Sequence, residues 1–546
     1  MAADPLHELR AAVHAAAGEV RGSEAASPAQ ARVERSKRDG QGDYSTNVAM
    51  LLAPSLGAAP REIAQRVGAV LAGALKERLS GWEVAGPGFI NLTLSDDWYR
   101  ATTRGVFEAG DRYGGGGAQT PERVLLEFVS ANPTGPMVAA NGQPAAYGDA
   151  LARILAHHGH RVATEYYVND AGSQIVRLGE SVLARAAGDA VPEGGYQGDY
   201  VAGLAGQIPD VQTLSAAQVG DAAVQLLLLE IEATLERYGV HYDQFFSERT
   251  LHQGDPSFLT RALAIAAQGG HTYRHEGALW LRSTTFGDEK DRVLERSDGE
   301  PTYLASDLAY LLEKLERGVE RQIIPVGSDH HGYVARMKAA LAALGGDPER
   351  LEMPLLQFVH LVEGTQRAAM SKRRGEFITL DDLLDEIGVD VTRYFMLQRS
   401  HDRTVDLDLD LAKRESRENP VYYIQYAHAR IVTMLGKLDP GRREAALAPG
   451  ADWGQAVLEP AERTLVKALA AFPDEVAEAA AQRGPHRIAG YALELAQEFT
   501  AFYRDCKVVG AEPGSTESFR IALAQAAQQT IALALGLLGV SAPDAM

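Results

Sequence analysis

Polar side chains follow a short apolar run at residues 124–129, and they are of kinds that could hold a substrate. The run gives way to a turn rich in proline and glycine, and an alanine-rich helical pattern begins near Pro144. Loops at the carboxyl ends of parallel strands, together with the N-terminus of the next helix, bind anionic groups such as nucleotide phosphates. The pattern therefore predicts a phosphate-binding loop, although a strand-loop-helix unit without a ligand gives the same pattern.

A second polar tip follows the predicted strand at 321–326 and contains Asp329, His330 and His331. An Asp-His-His triplet at a strand end also occurs in metal-dependent phosphoesterases, where it binds manganese. Such enzymes need further Asp and His clusters on earlier strands, and the sequence has none before Glu127. We therefore expect no dedicated metal site.

A basic segment lies farther along the chain, at Met370, Ser371, Lys372 and Arg373. Cations on a mobile segment can stabilise a pyrophosphate as it leaves, when its charge is greatest. A solvated surface loop is the alternative for a short basic cluster taken by itself. Its position after the two polar loops favours the interpretation that involves phosphate.

Several of these stretches together resemble one enzyme family. SANPTGP with the following AAYGDALARIL (130–136 and 145–155) is similar to the first signature of class I aminoacyl-tRNA synthetases, in the form found in bacterial arginyl-tRNA synthetases. Residues 370–373 resemble the second signature, Lys-Met-Ser-Lys-Ser, with Ala369 in place of its first lysine. GDYSTNVA, GPGFINLTL and the terminal GLLGVSAPDAM also resemble this family, so the resemblance extends from about residue 40 to Met546.

The resemblance implies a multidomain α/β fold. We expect an α/β N-terminal domain at 1–112 that contacts tRNA, a Rossmann-type parallel-sheet catalytic domain at 118–410, and an all-α anticodon-binding domain at 411–546. Within the catalytic domain, the segment at about 184–295 is expected to be an insertion. Four consecutive glycines at 114–117 support the first boundary, because they would destabilise the interior of a helix or strand. An α/β appendage of unknown use is the alternative for the first domain.

The implied reaction has two steps. Arginine and ATP form arginyl-adenylate and pyrophosphate, and the arginyl group is then transferred to a terminal ribose hydroxyl of tRNA. Magnesium is expected on the ATP phosphates, without a protein metal site of its own. The expected partners are therefore ATP, L-arginine and an arginine-accepting tRNA.

The resemblance also implies roles for individual residues. Those expected to bind arginine are Glu127, Ser130, Asn132, Tyr303, Asp307 and His331. Those expected to bind ATP are Gly135, Pro136, Val138, Asn141, Gly142, Asp329, His330, Met370, Ser371 and Lys372. Those expected to act in catalysis are Asn141, Lys372 and Arg373. Because a carboxylate accepts both arms of a guanidinium, Asp307 with Tyr303 is the expected recognition pair, and a helix N-cap is the alternative for Asp307.

The first signature departs from the family at its central tetrapeptide. The family has His-x-Gly-His, whereas this sequence has Val138, Ala139, Ala140 and Asn141. The side chain of Val138 cannot donate a hydrogen bond, and losing one such donor typically costs roughly 100- to 1000-fold in rate, about 3–4 kcal/mol. We expect a synthetase with an altered phosphate site; the alternative is a related protein that binds arginine or tRNA without forming the adenylate. The candidates to replace the histidines are His330, His331, Lys372 and Arg373.

The predicted helix at 419–435 combines aromatic and basic side chains. Tyr422, Tyr426 and Arg430 recur on it at helical spacing. RNA loops are bound by stacking unpaired bases on aromatic rings and arginines, so this helix is expected to bind tRNA. Tyrosines that pack against neighbouring helices are the alternative.

Local patterns predict further elements. A helix is expected to begin after Ser45 or Thr46, two strands are expected on either side of residues 86–88, and the chain is expected to be helical after Asp410.

The composition is ordinary for a soluble globular protein, since hydrophobic residues make up 46% and charged residues 23% of the 546 residues. No stretch approaches the roughly 20 apolar residues of a membrane helix, and the N-terminus lacks a signal-peptide core, so we expect a cytoplasmic protein. The net charge of −20 argues against an unspecific nucleic-acid coat protein. The single cysteine, Cys506, excludes an internal disulfide, and we expect a monomer.

Overall fold

Three structural units follow one another along the chain. The computed structural model describes residues 4–22, 31–36, 40–364, 366–367 and 378–546, with 366–367 described by the backbone alone. An α/β N-terminal unit is followed by a central unit built on a parallel sheet and by a C-terminal helical unit. The predicted fold class is therefore confirmed. The second signature, 370–373, lies outside the described residues.

The N-terminal unit is a four-stranded antiparallel sheet with helices packed against it, and its strand order is β1-β2-β4-β3. Its elements are α1 (Pro5–Arg21), β1 (Val33–Arg35), β2 (Tyr44–Thr46), α2 (Val48–Leu56), α3 (Pro60–Leu75), β3 (Leu79–Ala85), β4 (Phe89–Leu94) and α4 (Asp96–Ala109). The two strands predicted around residues 86–88 are β3 and β4, in which Glu83 lies opposite Asn91.

One helix start in this unit was predicted wrongly. Ser45 and Thr46 do not precede a helix directly; they lie in β2 and pair with Asn91 and Ile90 of β4. The N-cap of α2 is the next residue, Asn47. A three-residue strand is held by a partner far away in sequence, so its own residues give little local pattern.

The central unit contains a five-stranded parallel sheet. Its first elements are β5 (Arg123–Glu127), α5 (Gly142–His158), β6 (Arg161–Val168), α6 (Ser173–Ala187), α7 (Asp199–Gln207), α8 (Ala216–Arg237), β7 (Gln244–Ser247) and α9 (Phe258–Gln268). The next are β8 (Thr272–His275), β9 (Ala278–Leu281), β10 (Arg292–Glu295), α10 (Tyr303–Glu316), β11 (Arg321–Ile323), β12 (Val326–Gly327) and α11 (His331–Ala343). The last are β13 (Leu351–Glu352), β14 (Leu355–Leu356), β15 (Val359–Glu363), β16 (Gln366–Arg367), α12 (Leu380–Ile387), α13 (Val389–Leu397) and β17 (Val405–Asp408).

The main sheet is parallel, with the strand order β13-β11-β5-β6-β7. In the central strand β5, Leu125 lies opposite Ala163 of β6 and Gln322 of β11. The edge strand β7 lies within the segment at about 184–295 that the sequence assigns to an insertion, yet it pairs with residues 165–168 of β6. The carboxyl end of β7 therefore lies at the same edge of the sheet as the carboxyl ends of β5 and β6.

Helix α5 packs closely on the sheet through Gly148. A Cβ atom at this position would lie 2.1 Å from the ring of Phe128. That ring is buried and stacks on Tyr242, with 4.5 Å between the ring centroids. The close approach fixes the N-terminus of α5, at Gly142, beside the strand ends.

The loop before α5 is also tied to the segment before α12. The backbone N–H of Ala139 donates to the carbonyl of Ile378 at 3.0 Å, and that of Leu380 donates to the carbonyl of Met137 at 2.9 Å. Residues 137–139 and 378–380 are therefore held side by side, although some 240 residues separate them in sequence.

The C-terminal unit is helical, as predicted, and no strand occurs among its described residues. Its helices are α14 (Leu409–Ala412), α15 (Pro420–Gly436), α16 (Pro440–Leu447), α17 (Pro460–Ala470), α18 (Phe472–Ala481), α19 (His486–Asp505) and α20 (Gly514–Leu537). Among the described ranges, no helix is long and apolar enough to cross a membrane.

The N-terminal unit packs against this helical unit. Lys467 lies 3.0 Å from the carboxylate of Asp43, and Arg463 lies 2.8 Å from that of Asp96. The hydroxyl of Tyr113, at the end of the N-terminal unit, donates to a backbone carbonyl of α17 at 2.7 Å. The two units are therefore joined by ion pairs as well as by apolar contacts.

The packing at Gly148 leads to a prediction about stability. We expect Gly148→Ala to lower the free energy of unfolding by about 1–3 kcal/mol, because the new methyl group overlaps a buried ring. In Gly490→Ala, on the exposed side of α19, the new atom meets nothing within 4 Å, so the change should raise stability by about 0.5–1 kcal/mol. Thermal unfolding of both variants tests this, and a Gly148→Ala protein as stable as Gly490→Ala would contradict the packing argument.

Candidate functional site

A cleft of about 600 Å³ opens at the carboxyl ends of the parallel strands. Its walls come from the end of β5, the first turn of α5, the segment that joins β11 to α11, and the segment that joins β14 to β15. The lining residues are Glu127, Phe128, Val129, Ser130, Ala140, Gln143, Pro144, Ile324, Pro325, Val326, Gly327, His330, Leu356, Gln357, Phe358, Val359 and His360. The predicted ligand-binding loops after β5 and β11 therefore share one cleft.

The turn that follows β5 is strained. Val129 and Ser130 have φ angles of +67° and +41°, in the left-handed region that β-branched and bulky residues rarely adopt. The hydroxyl of Ser130 donates to Glu127 at 3.3 Å and accepts the backbone N–H of Tyr167 at 3.1 Å. Such strain persists only where the surroundings hold it, and it is common at binding sites.

Glu127 is paired with a buried lysine. Lys314 of α10 is fully buried, and its Nζ lies 2.5 Å from one carboxylate oxygen of Glu127 and 3.8 Å from the centre of the Tyr310 ring. A lysine enclosed in this way remains charged only when an anion and hydrogen bonds compensate for lost hydration. The pair therefore holds Glu127 in one position at the end of β5.

Asp307 lies in the second turn of α10, mostly buried, and accepts a hydrogen bond from the hydroxyl of Tyr333. Burial raises its pKa to about 7, and the neighbouring charges of Glu127 and Glu248 add to this shift. The N-cap of α10 is Thr302, so the alternative that Asp307 is a cap is wrong.

A third carboxylate, Glu248, was missed in the sequence. It is buried directly after β7, lies 4.0 Å from His252, and has a pKa raised mainly by burial. Glu248 follows a short strand with two phenylalanines, which is a signal for a residue at a sheet edge. The segment was assigned to an insertion instead, so this signal was not used.

Glu127, Glu248 and Asp307 form one acidic cluster. The three carboxylates come from β5, from the end of β7 and from α10, and all three raise the pKa of Tyr167, after the larger effect of burial. The positive charge of Lys314 lowers the pKa of Asp307, but by less than burial and the neighbouring carboxylates raise it. Buried carboxylates that outnumber their cations attract a ligand with two positive groups.

The altered tetrapeptide of the first signature does not face the cleft, apart from Ala140. Val138 is buried and pairs with Thr379 through the backbone. The side-chain oxygen of Asn141 accepts the backbone N–H of Val138 at 3.0 Å, so it stabilises the turn before α5. Gly142 is the first residue of α5 and is buried.

The remaining predicted residues occupy different surroundings. His330 lines the cleft beside Glu127 and Ser130, whereas Asp329 and His331 are exposed near its rim. Gly135 and Pro136 lie in a loop that packs on Tyr200, whose hydroxyl donates to the carbonyl of Thr134 at 2.9 Å. Asn132 is exposed and bonds to Asn169 at 3.1 Å.

Tyr303 is 73% exposed on the first turn of α10, and no hydrogen bond joins it to Asp307 among the described residues. The hydroxyl that contacts Asp307 belongs to Tyr333. The four predicted residues Met370, Ser371, Lys372 and Arg373 lie outside the described residues. In the described part of the chain, no three His, Cys, Asp or Glu side chains are arranged to hold a metal ion.

A separate aromatic surface lies on the helical unit. The rings of Tyr422 and Tyr426 on α15 are parallel, with centroids 6.1 Å apart. The guanidinium of Arg430 lies 4.5 Å from the Tyr426 ring and 5.2 Å from the ring of Tyr503 on α19. Tyr426 and Tyr503 are both exposed, so two helices together form this stacking surface, and the sequence analysis had missed Tyr503.

Comparisons with known proteins agree with this arrangement. Family models match residues 7–94 (Arginyl tRNA synthetase N terminal domain), 231–414 (tRNA synthetases class I (R), catalytic domain) and 424–546 (DALR anticodon binding domain). The parallel sheet, its cleft and these matches define a class I aminoacyl-tRNA synthetase.

Individual relatives give the family within that class. The arginine–tRNA ligase of Frankia alni is 45% identical over 535 residues, which cover 95% of each chain, and that of Carboxydothermus hydrogenoformans is 43% identical over 532 residues, 94% of each. The structure is similar to that of Thermus thermophilus arginyl-tRNA synthetase, with a TM-score of 0.78 and 26% identity over 98% of this chain and 99% of the other. The chain belongs to the arginyl-tRNA synthetase family.

Proposed function

We propose that this protein joins L-arginine to its tRNA with ATP, through an arginyl-adenylate intermediate. The observation that best supports this function is the acidic cluster of Glu127, Glu248 and Asp307, next to a cleft at the strand ends. Arginine has a guanidinium and an α-ammonium group, which match buried carboxylates at two places. The 43–45% identity to arginine–tRNA ligases supports this function over a protein that only binds arginine or tRNA.

In this proposal, Asp307 and Glu248 accept the guanidinium, and Glu127 holds the α-amino group. A planar guanidinium donates two parallel hydrogen bonds to a carboxylate, which a lysine cannot do. Tyr333, which now bonds to Asp307, would exchange this bond for one to the ligand. Ser130, Asn132, Tyr303 and His331 remain proposed arginine-site residues from the family resemblance.

The cleft beside the acidic cluster is proposed to hold ATP, with magnesium on its phosphates. Gly135, Pro136, Val138, Asn141 and Gly142 are proposed to shape the wall around the start of α5 through the backbone. Asp329 and His330 are proposed to lie near the nucleoside. A nucleotide held there would place its α-phosphate near the arginine carboxylate, and positioning of this kind supplies much of the rate in phosphoryl and adenylyl transfer.

Lys372 and Arg373 are proposed to act on the leaving pyrophosphate, together with Met370 and Ser371 of the same loop. The described residues on either side support this role. Val359 and His360 before the loop line the cleft, and Ile378 after it bonds to Ala139 of the first signature. The described residues before and after the segment therefore both lie beside the cleft.

We further propose that the units divided near 112–118 and 410–411 act together on the tRNA. The N-terminal unit would contact its body, and the stacking surface of Tyr422, Tyr426 and Arg430 would bind anticodon bases. The protein would work as a single chain in the cytoplasm.

The proposed reaction can be tested by arginine-dependent exchange of pyrophosphate into ATP, with and without tRNA. We expect exchange that depends on arginine, and we expect Asp307→Asn to lower kcat/KM for arginine by about 100-fold or more, because one charged partner of the guanidinium is lost. Asp298→Asn, in an exposed turn, is the matched control. Retained tRNA binding without any exchange by the unmodified protein would favour the binding-only alternative.

The raised pKa of Asp307 predicts how arginine binding depends on pH. Arginine needs the ionised carboxylate, so below a pKa of about 7 a proton must leave first, and KM for arginine should rise about tenfold per pH unit. Between pH 8 and pH 6 we therefore expect a clear rise in this KM. The Tyr333 hydroxyl lowers the pKa, so Tyr333→Phe should move the inflection to higher pH. A KM that is constant over this range would refute the assignment.

The stacking surface predicts an effect on tRNA alone. Loss of one base-stacking ring typically costs about 1–3 kcal/mol, so Tyr426→Ala should raise KM for tRNA by about tenfold or more while leaving KM for arginine unchanged. Arg430→Ala should act in the same direction. Arg504 is exposed on α19 and is paired with Asp505, so Arg504→Ala is the control for a general loss of positive charge. Equal effects of Arg430→Ala and Arg504→Ala would contradict specific stacking.

A further inference from the structure

The cleft proposed to hold ATP has few groups that can bind phosphates. Among the described residues that line it, only His330 and His360 can take a positive charge. The first signature contributes Ala140 to the wall. The side chain of Val138 is buried, and the side-chain oxygen of Asn141 accepts the backbone N–H of Val138. Residues other than 138 and 141 must therefore bind the phosphates of a nucleotide in this cleft.

His360 is the better held of the two histidines. It lies in β15 directly opposite Asp406 of β17, and its Nδ1 is 3.3 Å from the Asp406 carboxylate. Nδ1 is inaccessible to solvent and makes no hydrogen bond among the described residues, so Asp406 acts on it as a charged neighbour, and the 30% exposed part of the side chain is the rest of the ring. Because the sheet register sets this pair, the free nitrogen Nε2 is presented in a fixed direction. By contrast, His330 is 62% exposed, and its Nε2 is 3.6 Å from Asp329.

Gln143 adds an unpartnered amide to the same cleft. It lies in the first turn of α5, is only 4% exposed, and lines the cleft two residues after Asn141. Its side chain forms no hydrogen bond with any described residue. Its amide is therefore open to the cleft, where a ligand oxygen can accept its N–H.

We infer that His360 and Gln143 bind the ATP phosphates in this chain and so replace the two histidines missing from the first signature. Asp406 is the positioning residue that orients the His360 ring. An imidazolium between a carboxylate and a phosphate is attracted by both negative charges, and its N–H on the phosphate side can donate to a phosphate oxygen. The inference rests on the proposed function and specifies its nucleotide site.

The test compares two replacements of His360 in the full-length protein. Glutamine places an amide near the position of Nε2, whereas asparagine places one near Nδ1 and leaves the phosphate side empty. We expect His360→Asn to lower kcat/KM for ATP in the exchange reaction by about 100- to 1000-fold, with KM for arginine unchanged. His360→Gln should stay within about tenfold of the unmodified protein, and Gln143→Leu should lose at least about tenfold. His275→Asn, on the exposed strand β8, is the control.

Replacement, as opposed to simple participation, is tested in the background Val138→His with Asn141→His. Imidazoles are longer than the side chains they replace here, and the two positions flank Ala140 in the cleft wall, so His360→Asn should then cost less than about tenfold because the phosphates have other donors. For Asp406, the double variant Asp406→Asn with His360→Asn should be no slower than His360→Asn alone. A purely structural role of Asp406 would instead give additive losses.

The outcomes separate the inference from the proposed function. The inference is overturned if His360→Asn matches His275→Asn, if its loss appears in KM for arginine, or if the loss is equal in both backgrounds. If His360→Asn does not fold, calorimetric ATP binding by Gln143→Leu decides, and unchanged affinity overturns the inference. An unmodified protein that shows no exchange overturns the proposed function, while calorimetric ATP binding by the same variants still tests the inference.

Discussion

The site depends on carboxylates that are kept away from water at the end of a parallel sheet. Glu127 forms an ion pair in this environment with Lys314, which is itself fully buried. Glu248 lies 4.0 Å from His252 and Asp307 is affected by Lys314, yet burial raises the pKa of both carboxyls. Buried carboxylates that lack a full counter-charge are costly in the free protein. Because of this cost, the site selects a doubly cationic ligand over a neutral one.

The strand-end geometry explains how residues far apart in sequence reach one place. β5, β6 and β7 end at the same edge of the sheet, so Glu127, Tyr167 and Glu248 meet there. The close packing of α5 on Phe128 through Gly148 brings a helix N-terminus to the same edge. The strained turn at Val129 and Ser130 is held between these elements by hydrogen bonds to Glu127 and to β6.

The departure in the first signature has different consequences in the structure than in the sequence. In the sequence, Val138 is a lost donor and Asn141 lacks the positive charge of a histidine. In the structure, they stabilise a turn that pairs with residues 378–380, and the donors available to a nucleotide come from other walls of the cleft. An enzyme site can therefore keep its shape while the groups that contact phosphate change, since backbone pairing and side-chain chemistry are set by different atoms.

The sequence by itself determined the parts that depend on local pattern and on family resemblance. The strands β5 and β6, the helix α5, the all-helical C-terminal unit and the fold class all followed from periodicity, turn residues and signature segments. Glu127, Ser130 and His330 were also placed at the correct edge, because residues after parallel strands share it.

The tertiary structure decided which distant groups meet. The role of β7 as an edge strand, the presence of Glu248 beside Asp307, the Tyr333 hydroxyl on Asp307 and the pairing of His360 with Asp406 depend on strand order and register. Tyr503 joins the surface of α15 only because α19 packs beside it. Burial and pairing between segments that are far apart in the chain are properties of the packed molecule, and no local pattern in the sequence records them.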